Sequence, residues 1–283
     1  MNRSVRHIWL LAKLTLREAW RRRLLWIAGG LGLAFLVLFG LGFWAAYKDL
    51  VRHSDPDGPM AQGIFNFFML SGLYAVNFLI VMTTVLTTVG SISQEISSNT
   101  IHAIAAKPLR RWELFLGKWL GHALMLTVYV LVMVLGIFLV TFVITGYTPP
   151  NPLEGLGLLL LEGLVVLSLA LLGSTLLSTL ANGVLVFMLY GLAFVGAWTE
   201  QIGSLLESQM AVDLGILSSL LLPSEALWRR AAYAMQSSIT RTFNQAGPFS
   251  TSSVPSKWFI VYAGVYVLGM TLLAMRSFAR RDL

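Results

Sequence analysis

The chain has 283 residues, of which 57% are hydrophobic and 12% charged, and its mean hydropathy is +0.75. That is too apolar for a soluble domain of this length and marks an integral membrane protein. The net charge of +7 is clustered at the ends of apolar runs, which argues against a nucleic-acid surface, and the absence of cysteine excludes disulfides and thiolate metal sites.

Residues 1–23 hold seven Lys/Arg, with Val5, Ile8, Trp9, Ala12, Leu16, Ala19 and Trp20 at spacings of three and four. This predicts an amphipathic helix in the headgroup layer, its basic face on anionic lipid. A positively charged flank that merely orients the first span is the alternative, and the periodicity favours the helix. The first span is predicted over 24–47, followed by a polar loop containing Asp55-Pro56-Asp57-Gly58-Pro59. The second covers 64–92. On it Asn77, Thr84 and Ser91 recur every seven residues with Thr88 beside them, a polar stripe down one face. Such a stripe either packs against a neighbouring helix or lines a path, and polarity alone favours packing.

Gln94 to Gly121 is the longest polar-rich interruption in the first two thirds of the chain. Proline locks its own φ and restricts the residue before it, so Lys107-Pro108 separates a short helix, entered at Thr100, from the helix that follows. The third span is predicted over 119–145. Gly117 and Gly121 at its start form a Gly-x-x-x-Gly step, suited to close backbone packing under the short helix. Gly146 to Pro152 closes the span, the fourth runs over 156–180, and Ala181-Asn182-Gly183 turns the chain into a fifth over 184–198. Glu162 lies on the fourth span, compatible with burial near the outer interface or with substrate contact.

Residues 199–257 contain an apolar piece interrupted by Glu207 and Asp213, then Pro223-Ser224-Glu225 opening an amphipathic helix with Trp228, Arg229 and Arg230. A full span would bury two carboxylates at about 2.5–3.5 kcal/mol each near a helix centre. A re-entrant or interfacial hairpin on the outer side is therefore expected. The sixth span follows over 258–275. With both ends inside, Lys/Arg number seven in 1–23, four in 93–118 and three in 276–283, against six in the outer segments. The positive-inside rule then places both termini and the Gln94–Gly121 segment in the cytoplasm. The expected fold is an all-α integral membrane protein of six transmembrane helices.

The chemistry of an enzyme is absent. There is no Gly-x-x-x-x-Gly-Lys-Ser/Thr phosphate loop, and His7, His53, His102 and His122 have no metal-ligand spacing. Instead the order of Glu95, Ser98-Asn99-Thr100, Lys107-Pro108, Arg111 and Gly117-Lys118 between two spans resembles the segment between the second and third membrane helices of ABC-2 type transporter permeases. The resemblance extends over most of the chain through the six-span layout. It implies an N-terminal elbow helix and a coupling helix that seats on a separate ATPase through Glu95, Ser98, Asn99, Thr100, Ile101, Lys107, Pro108 and Arg111.

It further implies that ATP and Mg are held by that partner chain, that a second copy or similar permease pairs with this one, and that the second and fifth spans face a central pathway. On that view Asn77, Thr84, Thr88, Ser91 and Glu162 become pathway candidates. The implied function is export by alternating access across the cytoplasmic membrane, with no cofactor in this chain. Two other readings stay open: ATP-driven mechanical transmission to an outer-side partner, and an ion-coupled carrier, for which only Glu162 offers an intramembrane carboxylate.

Overall fold

A computed structural model describes residues 3–21, 23–53, 58–94, 110–243 and 253–280. Among them are helices only: α1 (Arg3–Arg21), α2 (Arg23–His53), α3 (Pro59–Thr88), α4 (Arg111–Thr145), α5 (Pro152–Leu176), α6 (Thr179–Leu205), α7 (Gln209–Leu221), α8 (Ser224–Met235), α9 (Ser238–Phe243) and α10 (Trp258–Arg280). Six of them, α2 to α6 and α10, are long and apolar enough to cross a bilayer. Helix is the form expected there, because lipid offers the backbone no hydrogen-bond partner and each span must satisfy its own.

Local chemistry sets the ends. Pro59 and Pro152 open α3 and α5 at positions where the missing N–H would have been unpaired anyway. Gly146, at φ 70°, ends α4 in the left-handed conformation that costs glycine least. The α5–α6 turn falls at Leu177-Ser178, where the Ser178 side chain accepts from the Ala181 N–H, and not at 181–183 as the sequence suggests. Asn182-Gly183 has the composition of a turn, but Asn182 is wholly buried inside α6, and its amide donates to the carbonyls of Ala170 at 2.8 Å and Val89 at 3.1 Å. Likewise the helix that carries the predicted third span starts before Trp119. It runs unbroken from Arg111, with Lys118 buried and donating to the Ser91 carbonyl at 3.0 Å.

The core forms around α5, the most enclosed span, with 67% of its apolar window buried among α3, α4, α6, α8 and α10. At the other extreme α2, with 6% buried, lies on the periphery against α3 and α4. The amphipathic α1 packs on α4, and the Gly-x-x-x-Gly step is its seat: a Cβ at Gly117 would meet the Ile8 carbonyl at 3.2 Å, and one at Gly121 the Ala12 carbonyl at 3.0 Å. The described partner of these glycines is thus α1, where the sequence pointed to the short cytoplasmic helix.

Helices α7 and α8 meet at 105°. Ala211 of α7 packs against Gly203 near the end of α6, while Met235 at the end of α8 packs against Gly155 at the start of α5. The end of α6 and the start of α5 lie on one side of the bundle, since α5 and α6 are consecutive antiparallel spans. The pair therefore enters and leaves by the same side, as a re-entrant hairpin. Near its tip the Leu221 carbonyl meets Tyr266, eight residues into α10 or about 12 Å along that helix at helical rise. The sequence allowed α8 to be interfacial, yet all its residues except Tyr233 are buried.

Candidate functional site

At the C-terminal end of α3 the last carbonyls have no partner within the helix, and side chains from other elements take them. His122 lies 3.3 Å from the Thr87 carbonyl, Asn182 binds that of Val89, and Lys118 that of Ser91. The Ser174 hydroxyl accepts from the backbone N–H of Ile92 and Ser93 at 3.0 and 3.2 Å, and Ser93 and Thr179 join hydroxyls at 2.8 Å. Four spans are knitted where the chain leaves Gln94. On the far side of the segment, Glu113 in the first turn of α4 is buried, accepts from the Arg110 N–H and lies 3.3 Å from His7 Nδ1 on α1. Arg111 donates to the Ala279 carbonyl at the end of α10 at 3.1 Å.

The opposite half of the bundle holds a second group of polar contacts, which fastens the hairpin. Arg229 of α8 meets Glu200 of α6 at 2.7 Å, with both side chains buried, and also donates to the Ser253 carbonyl, while the Ser253 hydroxyl donates to Glu200. Asn66 of α3 donates to the Met235 carbonyl at 2.8 Å and accepts from the Ser237 N–H; Asn151 donates to the Ala234 carbonyl at 3.2 Å. Two tyrosines of α10, Tyr262 and Tyr266, donate to the carbonyls of Leu220 and Leu221 at the end of α7. Both arms of the hairpin are thus held at their carbonyl ends.

Of the residues singled out from sequence, Glu95, Ser98, Asn99, Thr100, Ile101, Lys107 and Pro108 lie outside the described residues. Arg111 is described and binds α10. The α3 stripe faces inward: Asn77, Thr84, Thr88 and Ser91 are at most 4% exposed, and Glu162 is fully enclosed. The Thr84 and Thr88 hydroxyls donate to carbonyls one turn back on α3. In this conformation the stripe is covered by the same copy's helices and is not on a face open to a second copy. Asn77 and Glu162 come together across the α3–α5 contact. Sequence reasoning missed Glu113, Glu200, Glu225 and Arg229 as partners of one another or of distant groups. A charge inside an apolar window was the available signal for Glu200 and Glu225.

No curated protein matches the chain. A family model described as ABC-2 family transporter protein matches residues 9–283, from within α1 to the last residue. With six helices able to cross a membrane and this match along nearly its whole length, the chain belongs to the ABC-2 transporter family and is a multi-pass membrane protein.

Proposed function

We propose that the chain is the permease subunit of an ATP-driven exporter, seated in the cytoplasmic membrane with both termini inside. It pairs with a second copy or a similar permease, and two separate ATPase chains bind ATP and Mg and hydrolyse the nucleotide. The observation that carries this reading, beyond family membership, is the knitted inner end of α3. The chain between Gln94 and Arg110 joins two helices whose ends are tied to α1, α5, α6 and α10. A push on that segment by closing ATPases is passed to the bundle, because α3 cannot bend away without breaking several buried hydrogen bonds.

The thirty residues of α3 span about 45 Å. Its inner end meets the coupling segment, and Asn66 near its outer end holds the exit of the α7–α8 hairpin. A tilt of α3 therefore shifts the hairpin, which acts as the outer gate of an alternating-access cycle. A second reading, ATP-driven transmission to an outer-side partner without passage, is favoured by one observation: the polar stripe is fully packed, as a rod that only transmits force would be.

The test is Glu95→Lys, which reverses charge at the proposed ATPase contact. We expect normal membrane insertion but reduced transport and reduced substrate-dependent ATP turnover in the purified complex. Wild-type assembly, turnover and transport would remove Glu95 from coupling. ATP turnover that moves the hairpin while no compound crosses would favour transmission.

A further inference from the structure

Three carboxyl groups, Glu162, Glu200 and Glu225, are buried in the outer half of the bundle, and among the described residues Arg229 forms an ion pair with one of them, Glu200. Glu200 takes that guanidinium at 2.7 Å. Arg230, the next basic residue, points to the rim, where it donates to the Pro255 carbonyl and lies 3.8 Å from Glu154. Glu162 is left facing the amide of Asn77. Both side chains are fully enclosed, and beyond their approach to each other neither the Glu162 oxygens nor the Asn77 amide finds a partner at good hydrogen-bond geometry. Glu225, one helical turn before Arg229, keeps one oxygen without a partner.

The groups around this pair define a chemistry. Tyr74 of α3 and Tyr190 of α6 lie within electrostatic reach of both carboxyls, and Arg229 of α8 within reach of Glu225. The ring of Tyr74 packs on that of Trp228 at 5.2 Å between centroids. An ionised carboxyl without a counter-charge in an apolar interior, the situation of Glu162, costs several kcal/mol, and aromatic faces attract cations of low charge density. Asn66, Asn151 and Asn182 elsewhere in this bundle all find carbonyl partners, so the bare amide of Asn77 is an exception. Among the described residues no group of three His, Cys, Asp or Glu side chains is placed to hold a metal ion.

We propose that Glu162, Asn77 and Glu225, walled by Tyr74, Trp228 and Tyr190, form a binding site for a monovalent organic cation, an ammonium or phosphonium centre on an apolar body. Glu162 and Glu225 supply the counter-charge, the Asn77 carbonyl accepts any N–H the cation carries, and the rings receive its apolar groups. Glu225 and Trp228 are carried by α8, so withdrawal of the hairpin about its bend at Pro223 opens the site toward the outer side. This names a ligand class for the pathway and rests on the permease reading.

The experiment uses the chain assembled with its ATPase in nanodiscs, with radiolabelled tetraphenylphosphonium as probe and tetraphenylborate, its counterpart of opposite charge, as control. We expect saturable phosphonium binding that tetraphenylborate does not displace, and a rise in the thermal midpoint on binding. The near-isosteric Glu162→Gln and Asn77→Leu should each weaken binding about tenfold or more, while Glu162→Asp keeps part of the affinity. Absence of saturable binding to the wild type, or unchanged affinity in Glu162→Gln that still assembles with the ATPase, overturns the site. ATP-driven export of the phosphonium that Glu162→Gln leaves untouched also overturns the site, though not the exporter. Binding that requires Glu162, in a complex that exports nothing, upholds the site and sinks the exporter reading.

Discussion

The Glu200–Arg229 pair is the most direct test of whether the hairpin is held by specific contacts. Its atoms are 2.7 Å apart, with side chains only 5% and 3% exposed, and it joins α8 to α6 with Ser253 completing the ring of bonds. Arg229→Met keeps most of the volume but leaves the Glu200 carboxyl with the Ser253 hydroxyl alone. Breaking one side of a buried pair costs about 3–5 kcal/mol, most of it the penalty for the charge left behind. At about 2–4 °C per kcal/mol for a chain of this size, the thermal midpoint should fall by roughly 6–20 °C. Glu200→Leu with Arg229→Met replaces both charges by apolar groups and should recover most of that loss. Thermal denaturation of the purified variants in one detergent, read by the monodisperse fraction that survives, measures all three. A cysteine at Ser224, buried at the tip in a chain without native cysteines, should become more reactive to an impermeant thiol reagent in Arg229→Met. A single variant within about 2 °C of wild type, or a double variant no better than the single, would refute the reasoning.

The orientation proposed from the charge count predicts that single cysteines at Asp57, Asn151 and Gln245 react with an impermeant reagent on intact cells, while one at Asn99 reacts only after permeabilisation. Protection of Gln245 would convert the hairpin into a seventh span and invert the C-terminus. At the C-terminal end of α3, Asn182→Leu leaves the Val89 carbonyl buried without its donor, a loss of about 1–3 kcal/mol. ATP turnover should then respond less to substrate, since the join between α3 and α6 is loosened; unaltered coupling in a folded variant would show that this join carries no force.

The number and approximate position of the spans were legible in the residues because a bilayer leaves little choice: each apolar stretch of sufficient length must close its own hydrogen bonds as a helix. The helix end at Gly146 was legible from its backbone preference, whereas Pro59 and Pro152, assigned to loops from sequence, open α3 and α5. The ABC-2 character was readable from the order of polar residues between two spans, and the family match agrees. What needed the tertiary structure is which polar groups meet. Asn182-Gly183 has the local chemistry of a turn, yet Asn182 is buried because the carbonyls of Val89 and Ala170 lie within reach. Arg229 reads as the polar face of an interfacial helix, and only its contact with Glu200, 29 residues away, makes it an interior residue. Gly117 and Gly121 announce a close approach without naming α1 as the helix that makes it. Hydropathy and periodicity are sums over neighbours along the chain, whereas the cost of a buried charge is decided by what the fold brings opposite it. The spans could therefore be counted in advance, but the carboxyl cluster around Glu162 and the clamp at Arg229 exist only once the hairpin has folded back among α3, α5 and α6.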